Sequence, residues 1–196
     1  MMGPFMLIQF QDCQETRWKN GLGSTFQRFI QPVGASLEDF DIRVSMARVQ
    51  SSGPFSIFPD IDRQLCILEG DGLRLYSPEQ LSVELTPQSK AYAFEGERVI
   101  ESELLGQSVL DFNVMVRRGR FQSAIEQCEL TSGMLAPANG ELILILFLAP
   151  TSYLDAKGHR HPIAKYDVLM VEPDMAMRIW IAQTVDVILT RFRQIS

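Results

Sequence analysis

Histidine is scarce in this sequence, which has only His159 and His161 among 196 residues. On a strand, a His-x-His pair would put both rings on one face and suit a metal, with Asp155 or Asp167 as further ligands. The segment Ala156–Pro162 is a loop by composition, and no Cys-x-x-Cys, His-Glu-x-x-His or phosphate-loop pattern occurs. The sequence therefore predicts a surface loop and no metal or other cofactor. A metal-dependent enzyme that uses the two histidines is kept as the alternative.

Cysteine, positive charge and long apolar runs are also limited. Cys13, Cys66 and Cys128 are an odd number at no metal-binding spacing, which is usual in a reduced compartment. The net charge of −6 argues against a nucleic-acid partner. The longest apolar run, Leu142–Ala149, is far shorter than the roughly 20 residues of a membrane helix, and the first ten residues make a poor signal peptide. These features predict a cytoplasmic protein with neither a membrane nor a nucleic-acid partner.

Alternation of apolar and polar residues with a period of two is abundant. It runs from Phe40 to Met46, and it returns at 81–85, 110–117, 177–181 and 185–189. Leu142–Leu148 is apolar throughout, as in a central strand covered on both faces. Helical signals are few, and Ser123–Leu130 would form two turns at most. Many short strands between glycine and proline turns predict an all-β fold, a sandwich or barrel with few short helices.

An internal similarity suggests two related halves. Glu69–Gly72 carries two glycines between apolar strands, which predicts a hairpin turn. The surrounding segment Ile67–Leu75 resembles Met170–Ile179 later in the chain, with one extra residue in the second copy. Two copies of a strand–turn–strand unit predict two stacked jelly-roll units, with chance similarity as the rival explanation.

The segment Trp18–Thr25 is the first candidate binding motif. It combines an aromatic ring, the cation of Lys19, the amide of Asn20, two glycines and two hydroxyl groups. Glycines let the backbone approach a ligand closely, and Lys19 with exposed amides would bind an anion. A turn that connects two strands and is capped by Asn20 explains the same residues equally well.

A second candidate is the loop Ser52–Arg63, which two prolines and a glycine make rigid. Arg63 ends this loop just before an apolar strand. Its guanidinium either pairs with Asp60 or Asp62, or it reaches into a pocket, where its planar fork would match a carboxylate. The sequence leaves both alternatives open.

Polar residues also share faces of two predicted strands. Arg43 and Ser45 lie on one face of the first strand, and Asp111, Asn113 and Arg117 on one face of the second. Such a face is solvated by default in an antiparallel sheet, but in a barrel it would line the lumen. No convincing catalytic set is found, so catalysis is not the preferred interpretation. The basic cluster at 117–120 is interpreted as a solvated turn rather than an anion site.

Six blocks of this sequence resemble the HutD/Ves family in the expected order. They are Trp18–Thr25, Phe40–Ser45, Gly53–Arg63, Leu68–Leu75, Phe94–Glu97 and Asp111–Arg118. Leu22, Ile42 and Asp60 depart from the usual family pattern and affect the expected shape of the pocket more than the membership. The remainder of the chain resembles the family only in length and strand content.

The resemblance implies one double-cupin (bicupin) chain over residues 1–196, with jelly-roll barrels at about 1–120 and about 121–196. It also implies a role in sensing or buffering a metabolite of histidine utilisation, such as formylglutamate, or a link to environmental stress. Cupin barrels usually carry metal-binding histidines just before the hairpin, where this chain has Phe58–Arg63 without a histidine. An arginine there favours an anion over a metal.

The expected function is therefore binding of a small carboxylate metabolite by a cupin without a metal. The expected ligand-binding residues are Lys19, Asn20, Arg43, Arg63 and Asn113. A charge-assisted hydrogen bond contributes about 1.5–3 kcal/mol, which suits a metabolite sensor. An edge strand on each unit would allow two copies to pair, so a homodimer is among the assemblies expected.

Overall fold

The computed structural model describes residues 5–78, 80–135, 140–155, 157–173 and 177–195. Apart from one short 3-10 helix at Phe10–Asp12, the regular structure of the described residues is all strand, so the predicted all-β class is confirmed. The strands are β1 (Phe5–Ile8), β2 (Glu15–Arg17), β3 (Gly23–Gln31), β4 (Ile42–Val49), β5 (Gly53–Pro54), β6 (Ile61–Glu69), β7 (Leu73–Ser77), β8 (Gln80–Leu85), β9 (Tyr92–Glu95), β10 (Glu101–Leu104), β11 (Val109–Arg117), β12 (Phe121–Leu130), β13 (Gly133–Leu135), β14 (Leu142–Phe147), β15 (Thr151–Leu154), β16 (Arg160–Ile163), β17 (Val168–Val171), β18 (Met177–Ile181) and β19 (Val185–Gln194).

The chain divides into two compact units. The central unit is Gln14–Phe121, and the terminal unit combines Met1–Cys13 with Gln122–Ser196. The central unit has a six-stranded sheet in the order β2-β3-β4-β11-β6-β9 and a four-stranded sheet in the order β5-β10-β7-β8. The terminal unit has a five-stranded sheet, β1-β17-β14-β19-β12, and a four-stranded sheet, β13-β18-β15-β16. Each unit is thus built from one larger and one smaller antiparallel sheet.

None of the four sheets closes on itself among the described strands. The structure therefore shows open sheets, and the two jelly-roll barrels of a bicupin stay a prediction, as do their boundaries. Strand β1 pairs antiparallel with β17, with Phe5 opposite Val171 and Ile8 opposite Val168. The first strand of the chain consequently completes the sheet of the terminal unit.

The predicted strands with clear alternation are present. The alternating segment at 40–46 enters β4, the segment at 110–117 is β11, and the segment at 185–189 begins β19. The apolar run at 142–148 forms β14 over Leu142–Phe147, whose six residues are all buried between β17 and β19. A continuous apolar run fits this position because both faces of the strand are covered.

The expected helical turn at Ser123–Leu130 is wrong, because this segment belongs to β12 and lies beside β19. Its less exposed residues are Phe121, Ser123 and Ile125, followed after a shift of one by Cys128 and Leu130. This is a strand period interrupted once, and the interruption made the sequence look like a short helix.

The predicted hairpin at Glu69–Gly72 is also wrong. Strand β6 pairs with β11 and β9 in the larger sheet, whereas β7 pairs with β10 and β8 in the smaller one. A Cβ atom on Gly70 would lie 2.2 Å from the carbonyl oxygen of Ser108, and one on Gly72 would lie 2.4 Å from that of Leu85. The two glycines therefore allow close approach of other strands where the chain changes sheets.

The similar segment of the terminal unit makes the same kind of crossing. Strand β17 lies in the five-stranded sheet and β18 in the four-stranded sheet, as β6 and β7 do in their own unit. This common path supports the predicted repeat of a strand–turn–strand unit. No helix among the described residues has the length and apolar character that crossing a bilayer requires.

Candidate functional site

Three strands of the central unit, β4, β11 and β6, bring polar side chains to one face of the six-stranded sheet. Residues directly opposite each other on antiparallel strands point to the same side, so the register defines rows of side chains. The rows are Arg43, Met115 and Arg63; Ser45, Asn113 and Leu65; Ala47, Asp111 and Ile67. Successive rows are two residues, or about 7 Å, apart. Ala47 and Ile67 pack with Leu73, Leu75 and Leu85 of the smaller sheet, which places this face inside the unit.

The predicted Arg63 is 4% exposed and lies among three aromatic rings. Its Cζ atom is 5.2 Å from the ring centroid of Phe55, 5.6 Å from that of Phe58 and 4.9 Å from that of Phe94. One terminal nitrogen donates a hydrogen bond to the carbonyl oxygen of Ser56 at 3.1 Å, and Nε is buried without a partner. Burial lowers the pKa of Arg63 to about 10, so the guanidinium is still charged at neutral pH.

The loop that supplies two of these rings is held close to Arg63 by backbone contacts. The amide of Phe58 donates to the carbonyl oxygen of Gly96 at 2.8 Å, and the amide of Gly96 donates to that of Ile61 at 2.7 Å. A Cβ atom on Gly96 would lie 2.5 Å from the carbonyl oxygen of Phe58, so only glycine allows this approach. These contacts hold the loop, and with it the rings of Phe55 and Phe58, close to the Arg63 guanidinium.

Arg63 pairs with neither Asp60 nor Asp62, the two carboxylates that the sequence analysis considered as partners. Asp62, on the opposite face of β6, is bound by Arg118 at 2.8 Å, and no ion pair between described residues includes Arg63 or Asp60. Of the two alternatives that the sequence left open, a salt bridge with Asp60 or Asp62 is therefore wrong. The guanidinium instead points into the unit.

Arg43 lies in the same row as Arg63, on the other side of Met115. Its Nε donates to Oε1 of Gln27 at 3.3 Å, and one terminal nitrogen donates to the hydroxyl of Ser45 at 3.4 Å. Burial lowers the pKa of this side chain. Two guanidinium groups of one unit consequently face the same interior, where each contacts neutral groups.

Acceptors without partners occupy the next two rows. Asn113 and Asp111 are 9% and 3% exposed, and the Oδ1 atom of each is buried without a hydrogen-bond partner. Burial raises the pKa of Asp111 to about 7, against the opposing attraction of Arg63 and a hydrogen bond from the backbone of Ala47. An unpartnered buried polar group lowers folding stability by roughly 1–3 kcal/mol. The two acceptors therefore destabilise the unit unless a ligand donates hydrogen bonds to them.

Lys19 and Asn20 lie elsewhere in the central unit, in the exposed turn between β2 and β3. Oδ1 of Asn20 accepts a hydrogen bond from the amide of Leu22 at 3.0 Å, which is the capped turn that the sequence offered as the alternative. Nε1 of Trp18 donates to Oγ1 of Thr25 at 2.8 Å, and the Trp18 ring packs on the apolar core. The structure groups Arg43, Arg63 and Asn113 on one sheet face, and it does not place the turn residues on that face.

The two histidines lie in the terminal unit around one carboxylate. Nδ1 of His159 and Nε2 of His161 each lie 3.1 Å from Oδ2 of Asp155, and the ring of His161 stacks on Tyr153 at 4.8 Å. These hydrogen bonds hold the pKa of Asp155 well below its usual range. Within the described part of the chain, no group of three or more histidine, cysteine, aspartate or glutamate residues could hold a metal ion.

The basic cluster after β11 is occupied by partners within the protein. Arg117 donates to the carbonyl oxygens of Phe40 and Glu38, both at 3.1 Å. Arg118 binds Asp62 and Glu97, and Arg120 binds Asp41 at 2.7 Å. These contacts favour a structural role for the cluster, in agreement with its interpretation as a turn.

Asp111 is the interior residue that sequence reasoning left out of the predicted site. Its position two residues before Asn113 already put it on the same strand face. The alternation therefore carried the signal, but it could not show whether that face was wet or enclosed. The phenylalanine rings around Arg63 come from a loop and from β9, which are distant in sequence from each other.

Comparison with known proteins gives a consistent set of relatives. The sequence pattern of the HutD family matches residues 10–189. An uncharacterized 21.2 kDa protein in the hutC 3′ region of Pseudomonas putida is 31% identical over 174 residues, 87% of this chain and 88% of that protein. Protein Ves of Escherichia fergusonii is 30% identical over 129 residues, 65% of this chain and 66% of that protein.

Solved structures with a similar fold cover nearly the whole chain. A conserved protein of unknown function from Pseudomonas aeruginosa PAO1 has a TM-score of 0.82 at 25% identity, covering 96% of this chain and 98% of its own. HutD from Pseudomonas fluorescens SBW25, in a formate condition, has a TM-score of 0.80 at 24% identity and covers 98% of this chain and 100% of its own. The bacterial pirin YhhW from Escherichia coli, in complex with nickel(II), has a TM-score of 0.66 at 10% identity, covering 95% and 98%. The likeness to the last two shows the fold alone, which is cupin-like.

Proposed function

This chain belongs to the HutD family, and we propose that its central unit binds a small carboxylate metabolite in a regulatory or sensing role. The observation that carries the proposal is the buried guanidinium of Arg63, which faces the interior without a carboxylate bound to it. The family resemblance expected from the six sequence blocks is confirmed by the same matches.

The chemistry of the sheet face favours an anion with flat, paired acceptors. Arg63 has an unpartnered Nε, and a guanidinium offers two parallel N–H groups to a carboxylate. Arg43 adds a second positive charge on the same face, and the amide of Asn113 adds a polar group in the next row. The surrounding apolar side chains exclude water, which strengthens each charge-assisted hydrogen bond.

The expected affinity is modest. Each charge-assisted hydrogen bond contributes about 1.5–3 kcal/mol, and part of that is spent on ordering the ligand. Two or three such bonds correspond to dissociation constants from roughly micromolar to millimolar, a range that suits a sensor of an abundant metabolite. The ligand that we propose is a formylglutamate-like acid of histidine utilisation. The other candidate ligand is an acid linked to environmental stress.

The alternative of a metal-dependent cupin enzyme needs a ligand set that includes His159 and His161. Both rings are already hydrogen-bonded to Asp155 in the terminal unit, and the buried arginine lies in the other unit. The geometry therefore favours anion binding over that alternative. Cytoplasmic location and pairing of two copies through an edge strand stay predictions.

The first experiment is a thermal-shift screen of the whole protein against histidine, urocanate, formylglutamate, glutamate, formate and common dicarboxylates. A ligand that binds only the folded state raises the melting temperature as its concentration exceeds its dissociation constant. We expect at least one acid to raise it. No shift with any acid, even at millimolar excess, would contradict the proposal.

The second experiment locates the site by replacing Arg63 with methionine, which keeps an apolar stem but removes the charge. Calorimetric titration of the acid found in the screen should show roughly a tenfold to hundredfold loss of affinity, because one or two charge-assisted hydrogen bonds disappear. The matched control is Arg74→Met, since Arg74 is held by Glu84 and Glu103 in exposed ion pairs of the same unit. Unchanged affinity in a folded Arg63→Met protein would exclude Arg63 from the site.

A further inference from the structure

We propose that the central unit takes up its carboxylate ligand together with one proton, which Asp111 holds as a neutral acid that donates a hydrogen bond to the bound anion. This inference rests on the proposed function and adds a pH dependence to the same site. It assigns a role to the buried carboxyl group that the predicted set of binding residues left out.

The position of Asp111 makes its charged form hard to keep in the occupied site. Its row neighbours are the apolar Ala47 and Ile67, and Val109 on the same strand packs in the same apolar cluster. Its Oδ1 atom has no hydrogen-bond partner, although the side chain is 3% exposed. Nothing around that oxygen replaces the water that a carboxylate would keep in solution, so the neutral form is favoured.

The charged groups that face Asp111 come from the two strands on either side of β11. Strand β4 contributes Arg43 and β6 contributes Arg63, whereas the thiol of Cys66 lies opposite Phe112 on the other face of the sheet. Beyond β6, strand β9 adds the phenol of Tyr92 in the row of Asn113. Among the described residues, the smaller sheet presents Leu73, Leu75 and Leu85 to this interior. It also presents the buried hydroxyl of Ser102, which lies in the row of Leu75 and donates to the carbonyl oxygen of Gly53 at 2.9 Å.

Arg63 is the link between Asp111 and the ligand. In the structure, the attraction of Arg63 opposes the effect of burial on Asp111, although the two groups share no hydrogen bond. A ligand carboxylate on Arg63 would use the same positive charge and would add a negative charge on the sheet face that Arg63 shares with Asp111, two rows away. Two carboxyl groups that share one site do not both ionise readily, so binding of the anion favours protonation of Asp111.

The pKa of Asp111 allows this proton uptake near neutral pH. Burial raises the pKa of Asp111 to about 7, so its proton is present or easily taken up under physiological conditions. The Cys66 thiol, whose pKa burial raises to about 12, stays neutral over the same range. Below about pH 7 the Asp111 carboxyl is already protonated and donates a hydrogen bond to the anion. Above about pH 7 Asp111 must take up a proton from solution when the anion binds, so affinity falls as pH rises.

The test is calorimetric titration of the wild-type protein with formate, glutarate and glutamate at about pH 6.5 and about pH 8.5, where these probes keep their charge. Each experiment is repeated in two buffers of different ionisation enthalpy, so that the number of protons taken up is measured directly. We expect affinity to fall by roughly tenfold for each pH unit above 7, with close to one proton taken up per ligand at the higher pH.

The matched variant is Asp111→Asn, which keeps the shape and a permanent hydrogen-bond donor but cannot titrate. Its affinity should be independent of pH and its proton uptake near zero, whereas Tyr92→Phe should retain the wild-type pH dependence. Carboxylate binding without pH dependence or proton uptake in the wild type would overturn this inference and leave the proposed function intact. Absence of binding to every probe at both pH values would overturn the proposed function itself.

Discussion

The two units of this protein use the same kinds of sheet but enclose different interiors. In the central unit, the inward face of β11 carries Asn113 and Asp111, one and two rows away from Arg63 on the same sheet face. Among the described residues of the terminal unit, the buried polar side chains are Ser152, Asp167 and Thr190, and the core is a cluster of buried apolar side chains. They are Ile143, Ile145, Phe147, Ile163, Leu169, Val171, Ile181, Val185, Val187 and Leu189.

Two buried carboxylates, one in each unit, differ in whether both of their oxygens have hydrogen-bond partners. Asp167 of the terminal unit accepts hydrogen bonds from the amides of Phe10 at 2.7 Å and Ala164 at 2.8 Å, one on each carboxylate oxygen. It therefore ties the segment after β1 to the turn before β17. Asp111 of the central unit has one oxygen without any partner. A satisfied buried carboxylate stabilises a fold, whereas an unsatisfied one indicates a place where a ligand completes the structure.

The fold does not require a buried arginine in its interior. The described residues of the terminal unit form sheets of the same kind without one, so the buried Arg63 and the unpartnered Asp111 of the central unit cost stability that packing does not demand. Such a cost is expected at a functional site. This is why we propose the carboxylate site for the central unit and not for both.

The largest expected effect comes from making the terminal unit resemble the central one. Replacing Ile145 with aspartate puts a carboxylate without a cation into the apolar core, and it should lower the free energy of unfolding by about 4 kcal/mol or more. Urea denaturation measures this change. Ile145→Val, which keeps the core apolar, should cost only about 1 kcal/mol. Equal effects of the two substitutions would show that the terminal core tolerates charge.

A smaller effect is expected from the titration of Asp111 in the unliganded protein. Its pKa is raised to about 7 in the folded state, above its ordinary value, so the folded protein holds the proton more tightly than the unfolded chain. The contribution of Asp111 to the free energy of unfolding should therefore be greatest below about pH 4, fall by up to about 4 kcal/mol as pH rises to about 7, and then level off.

Denaturation as a function of pH would reveal this dependence. Asp111→Asn should remove the decline, and Asp12→Asn, which changes an exposed carboxylate, should leave it in place. The same decline in the Asp111→Asn protein would mean that another group of the folded state titrates in this range.

The smallest effect is expected at the turn of the central unit. Lys19 is exposed and does not lie on the sheet face that holds the two arginines, so Lys19→Ala should change carboxylate affinity by no more than about twofold and unfolding free energy by less than about 0.5 kcal/mol. Titration of the acid found in the screen measures the first quantity. A tenfold loss of affinity would extend the site to the turn and restore Lys19 as a principal ligand-binding residue.

Much of the fold followed from local pattern. The alternation at 40–46 and 110–117 predicted strands β4 and β11 and divided their side chains correctly between two faces, because side chains on a strand alternate between faces. It left open whether the polar face was solvated or enclosed. The shift within β12 led to the wrong prediction of a helical turn, and the glycines between β6 and β7 led to the wrong prediction of a hairpin. Both errors arose because pairing with distant strands, rather than local sequence, decides where a strand bends or changes sheets.

The candidate site was predictable in part for the same reason. The loop before β6 drew attention to Arg63, and alternation placed Asn113 beside Asp111. The sequence could not show that Arg63 would be enclosed by Phe55, Phe58 and Phe94, since these rings reach it only after β9 pairs with β6. Nor could it show that Asn20 would be used in capping its own turn.

The sequence by itself determined the all-β class, the family and the two faces of the strands with clear alternation, because these depend on residue type and spacing along the chain. Only the tertiary structure decided which faces are enclosed, that β1 joins the terminal unit, and that two arginines and two unpartnered acceptors share one interior. The physical reason is that burial, and with it the pKa of Asp111 and the unmet hydrogen bonds, is a property of the covering sheet. That sheet is built from residues far away in the chain, so no local pattern encodes its position.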